Sequence, residues 1–317
     1  MNIVFSNTLK LRWSILLRKV FKNSSKVLIS LIPIKTLRHN LINSLPTFVT
    51  QRNQKIQAAE RKSIFLVTNN TSNLGDLYCT PALYFNLSPL QEIYDIVNVF
   101  NANDKVLSEN KLIVGGGDHG WLLTNPDMQK RIKGGSNIAW GIGAASQHRI
   151  SDYLLNKFDL IGVRNLAHPQ IDNKKIFYVP CCSCFMNELM VDYPIKHKIV
   201  FYLHNWTETP LLKEIKSEYP YMDNYGEIGK AIEFLGSAEI VVSNSYHGIY
   251  WATLMNKKVI GIHSGPKFEG YKFEPAFATF ENWKDKLDEC RSYPDAMNDC
   301  RKINLDFYQK VIKIVSP

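Results

Sequence analysis

From Arg61 onward, short apolar runs recur along the chain, and each breaks into a cluster of small or polar residues. Ser63 to Thr68 runs into an Asn-rich stretch holding Asn73, Gly75 and Asp76, after which an apolar pattern resumes over Leu77 to Phe85. Lys111 to Val114 meets Gly115, Gly116, Gly117 and Asp118; Ser136 to Ile142 meets Gly143; Phe158 to Val163 meets Arg164; Ile176 to Val179 meets Pro180. Brief apolar runs bounded by turn residues predict buried strands, and helical stretches between them predict a doubly wound α/β domain, here over residues 60–192.

The second half repeats the pattern over residues 193–317. Lys198 to Leu203 is a strand ending at His204, Asn205 and Trp206; Glu227 to Leu235 has helical spacing. Ile240 to Ile262 reads as strand, loop, helix, strand, with Asn244, Ser245, His247 and Gly248 in or beside the loop. From Trp283 the tail alternates charged and apolar residues at helical spacing. In open α/β folds ligands bind beyond the carboxyl ends of the strands, so these loops are where chemistry is expected.

The individual loops leave alternatives open. The Asn73 to Asp76 stretch offers either an anion site at a helix start or an ordinary turn with a polar cap. Three glycines let a substrate or another backbone approach, but they match neither a Walker A nor a dinucleotide fingerprint. His247 is the candidate proton carrier, because an imidazole titrates near neutrality. Arg164, at the end of the Phe158 to Val163 run, is a guanidinium able to hold a carboxylate or phosphate with two parallel bonds, or a surface arginine at a strand end.

Charge changes the picture at one end. No Asp or Glu precedes Glu60, while ten Lys and Arg residues do, and they carry the whole of the +9 net charge. Residues 1–59 therefore read as a basic amphipathic segment suited to an anionic membrane surface, with a packed helix or a nucleic-acid arm as alternatives. No nucleic-acid motif accompanies it, and no apolar run there is long enough to span a bilayer. Trp121, His204, Trp206, Tyr246 and Trp251 could offer faces to a sugar or simply fill the core. The six cysteines, three of them in Cys181, Cys182 and Cys184, follow no disulfide or zinc spacing and read as reduced structural thiols of a cytoplasmic protein.

Several of these pieces together resemble the polysaccharide pyruvyltransferase family: Asn73 to Asp76, Val114 to Gly117, Trp140 to Gly143, Val163 with Arg164, and Asn244 to Gly248 followed by Ala252 and Lys258 to Ile260. The resemblance implies two Rossmann-like domains in a GT-B-like arrangement and transfer of pyruvate from phosphoenolpyruvate, as a cyclic ketal, to a sugar of a cell-surface polysaccharide or its lipid-linked precursor. It carries the donor-binding arginine onto Arg164 and the loop histidine onto His247. Asn73, Gly75, Asp76, Gly116, Gly117, Asp118, His204, Asn244, Ser245 and Gly248 are expected to line the substrate cleft.

Three positions depart from the family pattern. Ser245 stands where many members have arginine, Asn165 replaces the usual acid after the arginine, and Pro180 with its cysteines replaces Asp-Pro. No metal and no cofactor are expected, phosphoenolpyruvate being a substrate. The enzyme is expected at the inner face of the plasma membrane; the other readings are a GT-B glycosyltransferase using a nucleotide sugar, and a scaffold that docks on membranes through residues 1–59.

Overall fold

The computed structural model describes residues 63–67, 73–85, 94–98, 111–118, 126–132, 137–143, 149–263 and 268–315. The basic segment expected over 1–59, and Trp121, lie outside them.

The apolar runs become strands: β1 (Ser63–Val67), β2 (Tyr94–Asn98), β3 (Lys111–Gly115), β4 (Asn137–Ile142), β5 (Phe158–Val163) and β6 (Ile176–Tyr178) in the first half. β7 (His197–Leu203), β8 (Tyr221–Asp223), β9 (Ala238–Ser243), β10 (Lys258–Ile262) and β11 (Ala276–Ala278) follow in the second. Among the described residues they form two sheets, in the orders β2-β1-β3-β4-β5-β6 and β11-β10-β9-β7-β8. All pairings are parallel. The fold is thus α/β with two parallel sheets. Parallel sheets are covered on both faces, which is why β4 is buried at every position.

The helices are α1 (Leu74–Tyr78), α2 (Pro126–Arg131), α3 (Asp152–Leu155), α4 (Leu212–Glu218), α5 (Ile228–Gly236), α6 (Tyr246–Leu254) and α7 (Ala296–Val315). The apolar stretch Leu77 to Phe85 does not continue as one helix. Pro81, with no N–H to give, opens a separate 3₁₀ turn, Pro81–Leu83.

Both sheets reverse their direction of growth at the same place. β1 lies between β2 and β3, and β7 lies between β8 and β9. At such a switch point the connections leave to opposite sides and open a crevice beyond the strand ends. The first crevice is bordered by the segment entering α1 and by Gly116 and Gly117, the second by His204 and Asn244.

The halves share a core. Leu74, Cys79, Cys181 and Cys184 from the first pack with Tyr202, Ile249 and Trp251 from the second. α7 ties the far side, burying Ala296, Cys300, Asn304, Phe307 and Val311 at three- and four-residue intervals. Its second part lies with Ile138 and Trp140 of the first sheet, where Asn304 Oδ1 accepts from Trp140 Nε1 at 2.8 Å and Asn304 Nδ2 donates to Pro180 O at 3.1 Å.

Candidate functional site

α6 begins where β9 ends, and its start is set by Ser245, whose hydroxyl accepts from Gly248 N at 3.4 Å as the helix cap. This aims His247, 6% exposed, back toward the first half of the chain. There it meets two segments. The backbone of Gly75, in α1, lies so close to the imidazole that a methyl group at that position would overlap Nδ1 and Cε1. On the ring's other side Nε2 lies 3.5 Å from Cys181 Sγ.

α1 is held in place for this contact. Asn73 caps it, accepting from Gly75 N at 3.0 Å, and its amide donates to Asp76 Oδ2 at 3.2 Å. Leu74 N donates across to Asn224 O at 2.9 Å. The residue following α1, Cys79, presents its carbonyl and thiol to Gly116, which has φ 72° and no room for a side chain. The close approach foreseen at the glycine loop is therefore made, in part, by the protein's own backbone.

Arg164 follows β5 directly and is 8% exposed. Its Cζ lies 3.8 Å from the ring centroid of Tyr246, the residue before His247, in cation–π contact. Nη2 fills the space a side chain at Gly143 would take, and Nε and Nη1 are buried without a hydrogen-bond partner. Burial opposes the guanidinium charge, but Tyr246, Cys181 and Asp118 outweigh it and hold the group protonated. Asp118, exposed, is paired with Gly143 as an isolated bridge, and Gly143 N donates to Gly117 O at 2.8 Å.

Burial alone would push the Cys181 thiol up. A hydrogen bond from Cys182, the charge and hydrogen bond of His247, and the charge of Arg164 together bring it well below the ordinary thiol range. The neighbouring thiols go the other way. Cys79 and Cys182 are pushed well up, chiefly by burial. All six cysteines are free.

His204 and Asn244 form a separate cluster. Asn244 Oδ1 accepts from His204 N at 2.7 Å, and Asn244 Nδ2 donates to Thr207 Oγ1 at 2.7 Å. Trp206, 53% exposed, stands at the tip of that loop. Gly248 presses on Tyr202 and Ser243 beneath it. Thus Arg164, His247, Gly75 and Gly116 converge around Cys79 and Cys181, Asn73 and Asp76 support them from the same short helix, and His204, Asn244, Ser245 and Gly248 brace the loop that carries His247.

Sequence reasoning did not single out Cys181, Cys79 or Asn224. The usable signal was position, since Cys181 lies just past β6 and Asn224 just past β8, the strand-end positions where ligands gather. Asn224 Nδ2 and Asn205 Oδ1 are buried without partners beside α1.

The comparisons with known proteins bear on this constellation. The family described as polysaccharide pyruvyl transferase matches residues 73–265, a span holding every element of the site. The chain belongs to that family. No curated protein matches the sequence. Among solved structures, a functional uncharacterized protein from Klebsiella pneumoniae subsp. pneumoniae is 15% identical, covering 65% of this chain and 84% of its own, with TM-score 0.43. The wall teichoic acid polymerase TagF is 10% identical, covering 98% of this chain and 97% of its own, with TM-score 0.39. A second TagF structure is 11% identical, covering 98% and 93%, with TM-score 0.36. For this member of the polysaccharide pyruvyl transferase family, Arg164 and His247 lie inside the matched span and on facing halves of the site.

Proposed function

We propose that the protein transfers the pyruvyl group of phosphoenolpyruvate to a glycan as a cyclic ketal, in the assembly of a surface polysaccharide or its lipid-linked precursor. The observation that carries this reading is Arg164: a buried guanidinium with two unpartnered nitrogens, laid on the ring next to His247. Buried guanidinium donors without acceptors are costly, and a dense anion is the ligand that would supply them.

In this reading Arg164 grips the phosphate or carboxylate of the donor. His247 gives a proton to the methylene carbon, the π electrons forming the new C–H bond. C2, left electron-poor, accepts a sugar hydroxyl oxygen, and the proton of that hydroxyl restores His247. The C–O bond to phosphate then breaks with its electron pair, a second hydroxyl closes the ring, and its proton leaves with the phosphate. Trp206, exposed at the edge of the second crevice, offers the acceptor a stacking face. The two sheets act as Rossmann-like domains of a GT-B-like enzyme. We further propose that residues 1–59 hold it at the inner face of the membrane, near a lipid-linked acceptor. Among the described residues no helix is long and apolar enough to cross a membrane.

The test is incubation of the full chain with phosphoenolpyruvate and pooled glycan acceptors. Phosphate release is expected together with a pyruvylated sugar in the mass spectrum. No phosphate release, together with thermal stabilisation by a nucleoside diphosphate and none by phosphoenolpyruvate, would replace this reading with nucleotide-sugar transfer.

A further inference from the structure

Three charged or chargeable groups meet where the two halves touch, and their order in space is informative. Arg164 reaches in from the first sheet, His247 from the second, and Cys181 lies within the field of both, with His247 Nε2 3.5 Å from its sulfur. Arg164 and a protonated His247 both bear on Cys181, and two buried cations with no anion in reach would favour loss of the proton from the imidazole, the weaker base. An anion between them removes that conflict. Cys181 is placed to supply it, with its sulfur 3.5 Å from Nε2 of the imidazole. Cys79 and Cys182 are held as thiols by burial, and so are Cys184 and, on its phenol, Tyr250. Asp76 accepts from Asn73 Nδ2, and Asp118, exposed, adds its charge to the field at Arg164.

The surroundings of Cys181 suit a fixed thiolate. Its sulfur lies 3.2 Å from Ser183 Oγ, a hydroxyl able to donate. Its carbonyl accepts from Tyr250 OH at 2.7 Å, and Trp251 Nε1 holds Ser183 Oγ at 3.0 Å, so both ends of the Cys181–Ser183 turn are anchored to α6, the helix that carries His247. Sulfur and imidazole therefore keep their separation as a unit. Complete burial excludes water and strengthens the pairing.

We propose that Cys181 and His247 form a thiolate–imidazolium pair, and that Cys181 is the positioning residue that keeps His247 protonated, beside Arg164, for proton delivery to the substrate. This rests on the donor reading given above for its chemistry, but the pair exists in the protein without substrate. Formation of the pair moves one proton from sulfur to nitrogen and needs no other reactant. After His247 has given its proton away, the proton of the attacking hydroxyl regenerates the pair.

Two measurements decide it. In the substrate-free protein, far-ultraviolet thiolate absorbance titrated over about pH 5 to 9 should show one thiolate already present at neutrality, lost in Cys181→Ser and reduced in His247→Gln. In turnover, Cys181→Ser should lower kcat by about tenfold at slightly alkaline pH with KM for phosphoenolpyruvate changed far less, because the donor's anion grip is intact. The sign of the pH effect follows from the charge. Without the thiolate His247 loses its proton at lower pH, so the alkaline limb of the kcat profile moves toward acid. Cys181→Asp, which restores an anion, should move it back.

Absence of a neutral-pH thiolate in the wild-type protein overturns the pair, whatever the activity. So does a Cys181→Ser enzyme with unchanged kcat and unchanged alkaline limb. If Cys181→Ser does not fold, the wild-type titration and Cys181→Asp decide alone. A thiolate present in a protein that releases no phosphate from phosphoenolpyruvate supports the pair and refutes only the donor reading.

Discussion

Arg164 and Asn244 are equally buried, each 8% exposed, and each stands just beyond a strand end near His247. Their surroundings treat them in opposite ways. Both side-chain atoms of Asn244 are bonded, to His204 N and Thr207 Oγ1, so it joins the loop after β7 to the loop after β9. Arg164 is left with Nε and Nη1 unpartnered against an aromatic face. A neutral amide that is fully bonded stabilises the fold it sits in, whereas guanidinium nitrogens buried without acceptors leave hydrogen bonds unmade until an anion arrives. The contrast separates a brace from a grip among residues that the sequence places alike, just past a strand end.

Substitutions should pull these two sites apart. The largest effect is expected at the grip. Arg164→Met should lower kcat/KM for phosphoenolpyruvate by about a hundredfold or more, with the Tm of the unliganded protein little changed. A loss of activity accompanied by a lower Tm would mean that the guanidinium is structural. Next is Gly75→Ala, whose methyl would overlap the imidazole and displace His247. A shift of about an ångström at a catalytic group can cost on the order of a hundredfold, so turnover should fall steeply, with Tm lowered by a few degrees from the overpacking. Unaltered turnover would show that His247 has room to move or does no chemistry. The smallest effect on activity is expected at the brace. Asn244→Ala removes two hydrogen bonds at about 1 kcal/mol each, and Tm should drop by several degrees with KM for phosphoenolpyruvate unchanged. A raised KM without a drop in Tm would make Asn244 a ligand residue and collapse the comparison.

The central strands were legible because burial on both faces leaves an uninterrupted apolar signature. β4 and β9 read directly from their sequences. β2, β8 and β11 did not, and all three are edge strands. With a neighbour on one side only among the described residues, Tyr94–Asn98, Tyr221–Asp223 and Ala276–Ala278 need no continuous apolar run, and at three residues the last two are too short to show a period. The loops at both switch points were legible for the same reason as the strands, since each begins where an apolar run stops. That Arg164 would lie on Tyr246 was not. Their meeting depends on how the halves dock, through contacts such as Leu166 N to Gly270 O at 2.9 Å, and no local pattern encodes it. Cys181 was obscured by its neighbours: in a run of three cysteines the sequence cannot tell which sulfur turns to the histidine. Tyr246 was visible as an aromatic but not as the surface that carries a cation.

The crossing of α7 back to the first sheet has a consequence for the order in which the protein comes into being. Trp140 is capped by Asn304 and packed by Phe307, residues the ribosome adds more than half a chain later. Until they emerge, one face of the first sheet lacks its lid, and the indole N–H has no side-chain acceptor. The half of the molecule that is made first is therefore completed last, when α7 arrives to cover its apolar face.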